Sequence, residues 1–176
     1  MSALPKSHSI ARAGSWTGAQ DRCQLSYEER FLRRKVLTTE AGRGFLVDLA
    51  HTESLDHGDA FTLSDGALIE VVAAQEPLLE VRGANLPRIA WHIGNRHTPC
   101  QIETERLLIQ RDHVIRDMLV LIGAQVSEVE EPFTPEGGAY GHGRTHGHDH
   151  SHNHGPQAQS HSHDHDHDHN NHHHEH

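Results

Sequence analysis

Short apolar runs separated by turn-forming residues dominate the first half of the chain. Phe31 to Leu37, Phe45 to Leu49, Ala60 to Leu63 and Ala67 to Ala73 are rich in apolar or β-branched side chains, which suit a pleated, half-buried surface. Glu40-Ala41-Gly42, Asp56-His57-Gly58-Asp59 and Ser64-Asp65-Gly66 stand between them. Asp65-Gly66 between two such runs is a strong hairpin signal, because glycine accepts the positive φ that a tight turn demands. A further short strand is expected around His8 to Arg12, and β signals continue from Gln24. Together these patterns predict a small all-β domain over residues 1–75. The run Arg30, Arg33, Arg34, Lys35 reads as a solvated strand edge.

The period changes near Gln75-Glu76-Pro77. Leu78 to Arg82 reads as a strand, and Asn85 as an N-cap. Leu86, Ile89, Ala90 and Ile93 recur at i, i+3, i+4 and i+7, one face of a helix that Gly94-Asn95 ends. Thr98 to Thr104 and Arg106 to Gln110 predict two more strands. Asp112 caps a second helix, for which Val114, Met118, Leu121 and Ile122 are the expected buried stripe and Gly123 the terminating glycine. Gln125 to Val129 is a last strand, stopped by Pro132. The order β-α-β-β-α-β predicts a ferredoxin-like domain over residues 76–134, so the fold class is α+β.

Composition adds a third segment, residues 135–176. Only 34% of the chain is apolar, and the deficit is concentrated at the end. From His142 to His176 there is no Val, Ile, Leu, Met, Phe, Trp, Tyr or Cys. Such a stretch cannot bury enough apolar surface to offset its backbone entropy, so a disordered tail is expected. The formal net charge is −10 with histidine neutral, which argues against a nucleic-acid-binding face. No run is long and apolar enough for a signal peptide or a membrane span, so the expected address is the cytoplasm, with no membrane partner. Two distant cysteines, Cys23 and Cys100, make a disulfide framework improbable.

The tail carries its own chemistry. Fifteen of the 21 histidines lie in it: His142, His146, His148, His150, His152 and His154, then His161, His163, His165, His167 and His169, then His172, His173, His174 and His176. Most alternate with Gly, Ser, Asn or Asp. In an extended chain residues i and i+2 point to the same side, so each His-x-His offers two imidazoles to one ion. Neutral imidazole suits nickel, zinc and copper, and the interleaved aspartates favour a cation. The run is too long and too varied for a purification tag, and reads as a metal-binding tract of low selectivity.

The six remaining histidines carry weaker signals. His8, His51 and His57 fall in loops or weakly patterned sequence and read as solvated. His92 lies within the first helix, off its apolar stripe, and suits a supporting or interface role. His97 follows the first helix and His113 opens the second; spacing alone leaves ligation by either open. No phosphate-binding P-loop, zinc-protease, nucleophile-elbow or Rossmann pattern is present, so an enzyme is not expected. Cys100, three residues after His97 across Pro99, reads as a small buried residue on a strand rather than a nucleophile.

Two segments narrow the reading. Trp91-His92-Ile93-Gly94-Asn95-Arg96-His97-Thr98-Pro99, followed by Asp112-His113-Val114-Ile115-Arg116-Asp117-Met118-Leu119, resembles the urease accessory protein UreE family of nickel metallochaperones. Tyr27-Glu28-Glu29-Arg30-Phe31-Leu32 and Pro135-Glu136-Gly137-Gly138-Ala139-Tyr140, leading into a His-rich end, resemble it too. The resemblance implies Ni(II) as cargo, with Zn(II) and Cu(II) as competing ions, and a homodimer formed through the ferredoxin-like domains. It implies that the β domain is akin to a peptide-binding module. It implies that His97 from each copy shares one metal on the two-fold axis, that His113 assists, and that His92, Arg96 and Asp112 support the site or the dimer interface. The implied partners are a urease-maturation GTPase and the apo-urease accessory complex. Some family members carry a histidine where this chain has Arg111, so the His-x-His pair of those members is incomplete here.

The expected mechanism also has a physical basis. A two-fold dimer repeats one patch on both partners, so one histidine near the axis becomes two ligands. Two imidazoles leave a coordination shell unfilled, which favours exchange over retention, whereas a closed four-ligand site would hold the ion. Binding should weaken as pH falls through the imidazole range (roughly 6.5 for a free histidine), because an imidazolium is not a ligand. The alternative is a nickel or zinc storage or detoxification protein built on the same tail.

Overall fold

The computed structural model describes residues 3–139; the expectations attached to the histidines from His142 onward lie outside them. Strands β1 (Lys6–Ala11), β2 (Asp21–Leu25), β3 (Phe31–Thr38), β4 (Gly44–Ser54), β5 (Ala60–Leu63) and β6 (Leu68–Ala73) form one sheet in the order β2-β6-β5-β1-β4-β3. β1 lies parallel to β4 and β2 parallel to β6, while the remaining pairs are antiparallel. Alternate side chains turn inward, and Phe45, Val47, Phe61, Ile69 and Val71 are fully buried. The expected hairpin at Asp65-Gly66 joins β5 to β6. Gly66 adopts φ 86°, and the Asp65 carboxylate accepts the Ala67 N–H at 3.0 Å.

Pairing shaped this sheet beyond what apolar pattern foretold. β4 runs on to Ser54, past Leu49, because Leu32 and Phe31 of β3 pair with Glu53 and Ser54. His51 therefore sits on a strand rather than in a loop, while His8 lies on β1, where a strand around His8 to Arg12 was expected. β2 begins at Asp21, ahead of the expected start, with Cys23 and Leu25 buried among polar neighbours. Arg30 is not part of a solvated edge. It is 3% exposed, and its guanidinium donates to the carbonyls of Leu25, Leu55 and Phe133. Three carbonyls aimed at one fork satisfy donors that would otherwise be costly to bury.

The second sheet comprises β7 (Gln75–Arg82), β8 (Gln101–Ile102), β9 (Leu107–Gln110) and β10 (Gln125–Pro132), with α1 (Leu86–Asn95) and α2 (His113–Leu121) between them. Its order, β10-β7-β9-β8, all antiparallel, is the ferredoxin-like arrangement expected from the sequence. Both helices cover one face. Ile89 and Ile93 of α1 and Ile115 and Leu119 of α2 pack on Leu79, Val81, Leu107 and Ile109. The helix starts follow local chemistry: Asn85 accepts the Arg88 N–H at 3.2 Å and Asp112 the Ile115 N–H at 2.9 Å.

Two expectations fail in this half. The stripe assigned to α2 is rotated: Ile115 and Leu119 are buried and Met118 and Ile122 pack beside them, but Val114 is 52% and Leu121 86% exposed. The helix is apolar on two adjoining faces, so periodicity alone could not choose the inward one. The strand expected over Thr98 to Thr104 shrinks to Gln101–Ile102. Thr98 is used in ending α1, and Pro99 has no N–H to give to a ladder.

The opposite face of the second sheet meets the first domain. Leu78, Leu108 and Phe133 form a small shared core with Tyr27, whose ring stands edge-on to Phe133 at 5.4 Å. Nearby, the Tyr27 N–H donates to the buried Glu76 carboxylate at 2.8 Å. Farther along the same face Arg106 donates to Glu80, Glu103 and Glu131. These carboxylates hold its pKa above the usual arginine value; Arg82 and Arg106 together hold Glu80, and Arg106 holds Glu131, below the usual carboxylate range.

Candidate metal site at the end of the first helix

Helices α1 and α2 end in the same way and with different residues. In α2, Gly123 N–H bonds to the Val120 carbonyl at 3.0 Å and Ala124 N–H to the Leu119 carbonyl at 2.9 Å. In α1, His97 N–H bonds to the Gly94 carbonyl at 2.9 Å and Thr98 N–H to the Ile93 carbonyl at 3.5 Å. This paired closure requires a left-handed residue after the cap, a position where glycine is the usual choice. Gly123 fills it at φ 89°. On α1 it is filled by His97 at φ 55°, the one non-glycine residue with positive φ among the described residues. A side chain at such a position costs roughly 1–2 kcal/mol. The imidazole is thereby carried on the outside of a sharp turn and is exposed.

Helix electrostatics separate the two candidate ligands. His97 stands at the carboxyl end of α1, where the unpaired carbonyl charge favours a cation by roughly 0.3–1 kcal/mol. His113 is the first residue of α2, at the end that disfavours one. It lines a shallow depression with Leu79, Arg111, Asp112, Arg116 and Glu128. Two guanidiniums in that depression oppose a dication, although Glu128 stands 3.7 Å from one and 3.6 Å from the other. The Asp112 carboxylate is already engaged as the α2 cap. Arg111 donates to the carbonyls of Leu78 and Val129 and so braces β7 to β10.

The supporting residues lie nearby. Arg96, the α1 cap, donates through Nε to the Met118 sulfur at 3.0 Å, tying the end of α1 to the middle of α2. His92 is half-buried, its ring edge-on to Trp91 at 5.0 Å. Cys100 does not lie on a strand; it directly precedes β8 and is half-buried. Burial, with a smaller push from the Glu136 charge, raises its thiol pKa to about 11, so it stays protonated at neutral pH and offers no thiolate. Among the other histidines, His8 Nδ1 lies 2.8 Å from the Asp48 carbonyl and His57 Nδ1 accepts the Ala73 N–H at 3.2 Å. Both contacts tie the imidazole to backbone within the first domain.

Among the described residues no group of three or more His, Cys, Asp or Glu side chains is close enough together to hold an ion. His97 therefore contributes at most part of a coordination shell within one described body. Also among the described residues, Trp91, Val114, Val120 and Leu121 are large apolar side chains of the two helices that remain more than half exposed. Sequence reasoning named His97 and His113 as candidates but gave no role to Glu76, which holds the Tyr27 N–H, or to Arg30 and Gln101, which hold Phe133 and Thr134. Nothing in their spacing marks them, because each acts on backbone far away in sequence.

Two family models match almost end to end. Residues 3–74 match the N-terminal domain, and residues 76–176 the C-terminal domain, of the UreE urease accessory protein. The chain is 69% identical over 143 residues to the urease accessory protein UreE of Ruegeria pomeroyi, covering 81% of this chain and 96% of that protein. It is 72% identical over 122 residues to the protein of the same name from a Ruegeria species, covering 69% of each. With the UreE of Cereibacter sphaeroides the identity is 60% over 146 residues, covering 82% of this chain and 80% of that one. No helix of the described residues is long and apolar enough to cross a membrane.

Proposed function

The chain belongs to the UreE family of urease accessory proteins, and on that footing we propose that it binds Ni(II) through His97 and donates it during assembly of the urease metallocentre. UreE proteins are accessory proteins of urease maturation, not enzymes. The observation that carries the reading is the His97 turn. The same chain closes α2 with glycine, yet closes α1 with an exposed imidazole at φ 55°. A locally unfavourable residue at a position with an easy alternative points to use of its side chain.

Ion and shell follow from ligand chemistry. Imidazole binds nickel, zinc and copper, with copper favoured on affinity, so Zn(II) and Cu(II) compete and cellular supply decides the cargo. A second copy of the chain supplies a second His97 on a two-fold axis, and the exposed Trp91, Val114, Val120 and Leu121 support a homodimer built on the helix layer. The His142 to His176 run supplies further imidazoles, collecting ions and completing the shell. His113 plays a lesser part in this scheme, since its surroundings oppose a bare cation. The receiving partners are a urease-maturation GTPase and the apo-urease accessory complex, and the setting is the cytoplasm.

The test uses the full chain. His97→Ala should remove the tightest nickel ion seen in a calorimetric titration and sharply reduce nickel-dependent activation of apo-urease with the other accessory proteins. Activation and the tightest binding both unchanged in that variant would refute the role of His97.

A further inference from the structure

Arg96 stands between α1 and the candidate ligand His97, so its charge bears on any ion held at the turn. It is exposed, and among the described residues it pairs with no carboxylate, although Arg12, Arg43, Arg106 and Arg116 each do. Its Nε donates instead to the Met118 sulfur of α2 at 3.0 Å. Met118 is half-buried against the core of the second domain, so this acceptor is held in place. A thioether sulfur is a weak, neutral acceptor. It can hold a guanidinium without bringing a negative charge to the site.

Released from the sulfur, the guanidinium has an obvious alternative. The last carbonyls of a helix lack helical partners, and a basic side chain in the final turn folds onto them. At the end of α1 the same carbonyls favour a cation at His97. A loose Arg96 would neutralise that field and add its own repulsion of a dication at close range.

We propose that Met118 is a positioning residue for the metal site: by drawing the Arg96 guanidinium across to α2, it keeps a competing positive charge off the His97 turn. The proposal rests on His97 being the metal-binding residue. Met118 touches no ion in this scheme and acts only through Arg96. The same contact joins the cap of α1 to the middle of α2, and so steadies the residue that precedes the left-handed turn. Leucine at 118 would fill much the same space and leave the guanidinium loose. The sulfur, rather than the bulk of the side chain, is therefore what the proposal puts at stake.

The test uses full-length variants, with nickel ions as the probe and the tightest site in a calorimetric titration as the readout. Met118→Leu should weaken that site by roughly two- to fivefold. Met118→Gln, whose amide oxygen is an acceptor at similar reach, should recover most of the loss. Two further readouts separate charge placement from packing. The gap between Met118→Leu and the parent should narrow at high salt, because salt screens an exposed charge. In an Arg96→Ala background, Met118→Leu should weaken the site no further, since the charge it would release is gone. A loss that persists in that background, or that salt does not move, would make Met118 a packing residue and overturn the proposal. Unchanged affinity in Met118→Leu, with the tightest ion lost in His97→Ala, would overturn it as well and leave the His97 reading standing. Tight binding unchanged in His97→Ala would refute both.

Discussion

A histidine in left-handed backbone carries a steric cost, and His97 is such a residue. The comparison with Gly123 makes the cost measurable within one molecule. His97→Gly should relieve roughly 1–2 kcal/mol of strain, partly offset by the roughly 0.5–1 kcal/mol of extra chain entropy that glycine brings to the unfolded state. The expected outcome is a net gain of up to about 1.5 kcal/mol, seen as a small rise in Tm, together with loss of the tightest nickel ion. A fall in Tm would mean that the imidazole stabilises the turn and that its role is structural. Sequence spacing alone could not reveal this contrast. The residue identities were visible, but the left-handed backbone angle that sets His97 apart from the other described histidines was not.

Among the elements, α2 shows most clearly what pattern can and cannot tell. Its start at Asp112 and its end at Gly123 follow from capping chemistry and were legible. Its inward face was not, because Val114 and Leu121 form one apolar stripe while Ile115 and Leu119 form the neighbouring one, and only packing against Leu79, Val81 and Ile109 decides between them. The outward stripe then needs another explanation, and the homodimer proposed above would cover it. Leu121→Glu, at 86% exposure in the single body, should leave the fold intact by circular dichroism and shift sedimentation from dimer to monomer. An unchanged dimer would place the interface elsewhere. The strands tell a similar story: the β5–β6 hairpin was written in Asp65-Gly66, whereas the parallel pairings and the full length of β4 come from partners far along the chain. Gln101 and Arg30 were illegible for the same reason, since their partners Thr134 and Phe133 lie more than thirty residues away.

On the scale of the whole molecule, the two sheets share a small core, a buried arginine and a buried glutamate, and the chain's exit is tied down near the candidate site. In the proposed function the histidine run is the collector and a His97 pair the point of transfer. Collection and transfer make separable demands. A collector needs many ligands and little selectivity, while transfer needs few ligands and quick release. The measurement that most directly tests this division is equilibrium dialysis of nickel into a chain ended after Ala139, with and without His97→Ala, alongside sedimentation. The account predicts that the shortened chain stays dimeric and keeps about one nickel per dimer, by the two-fold argument, and that His97→Ala loses it. A shortened, folded dimer that binds no nickel, or one whose nickel survives His97→Ala, would contradict it.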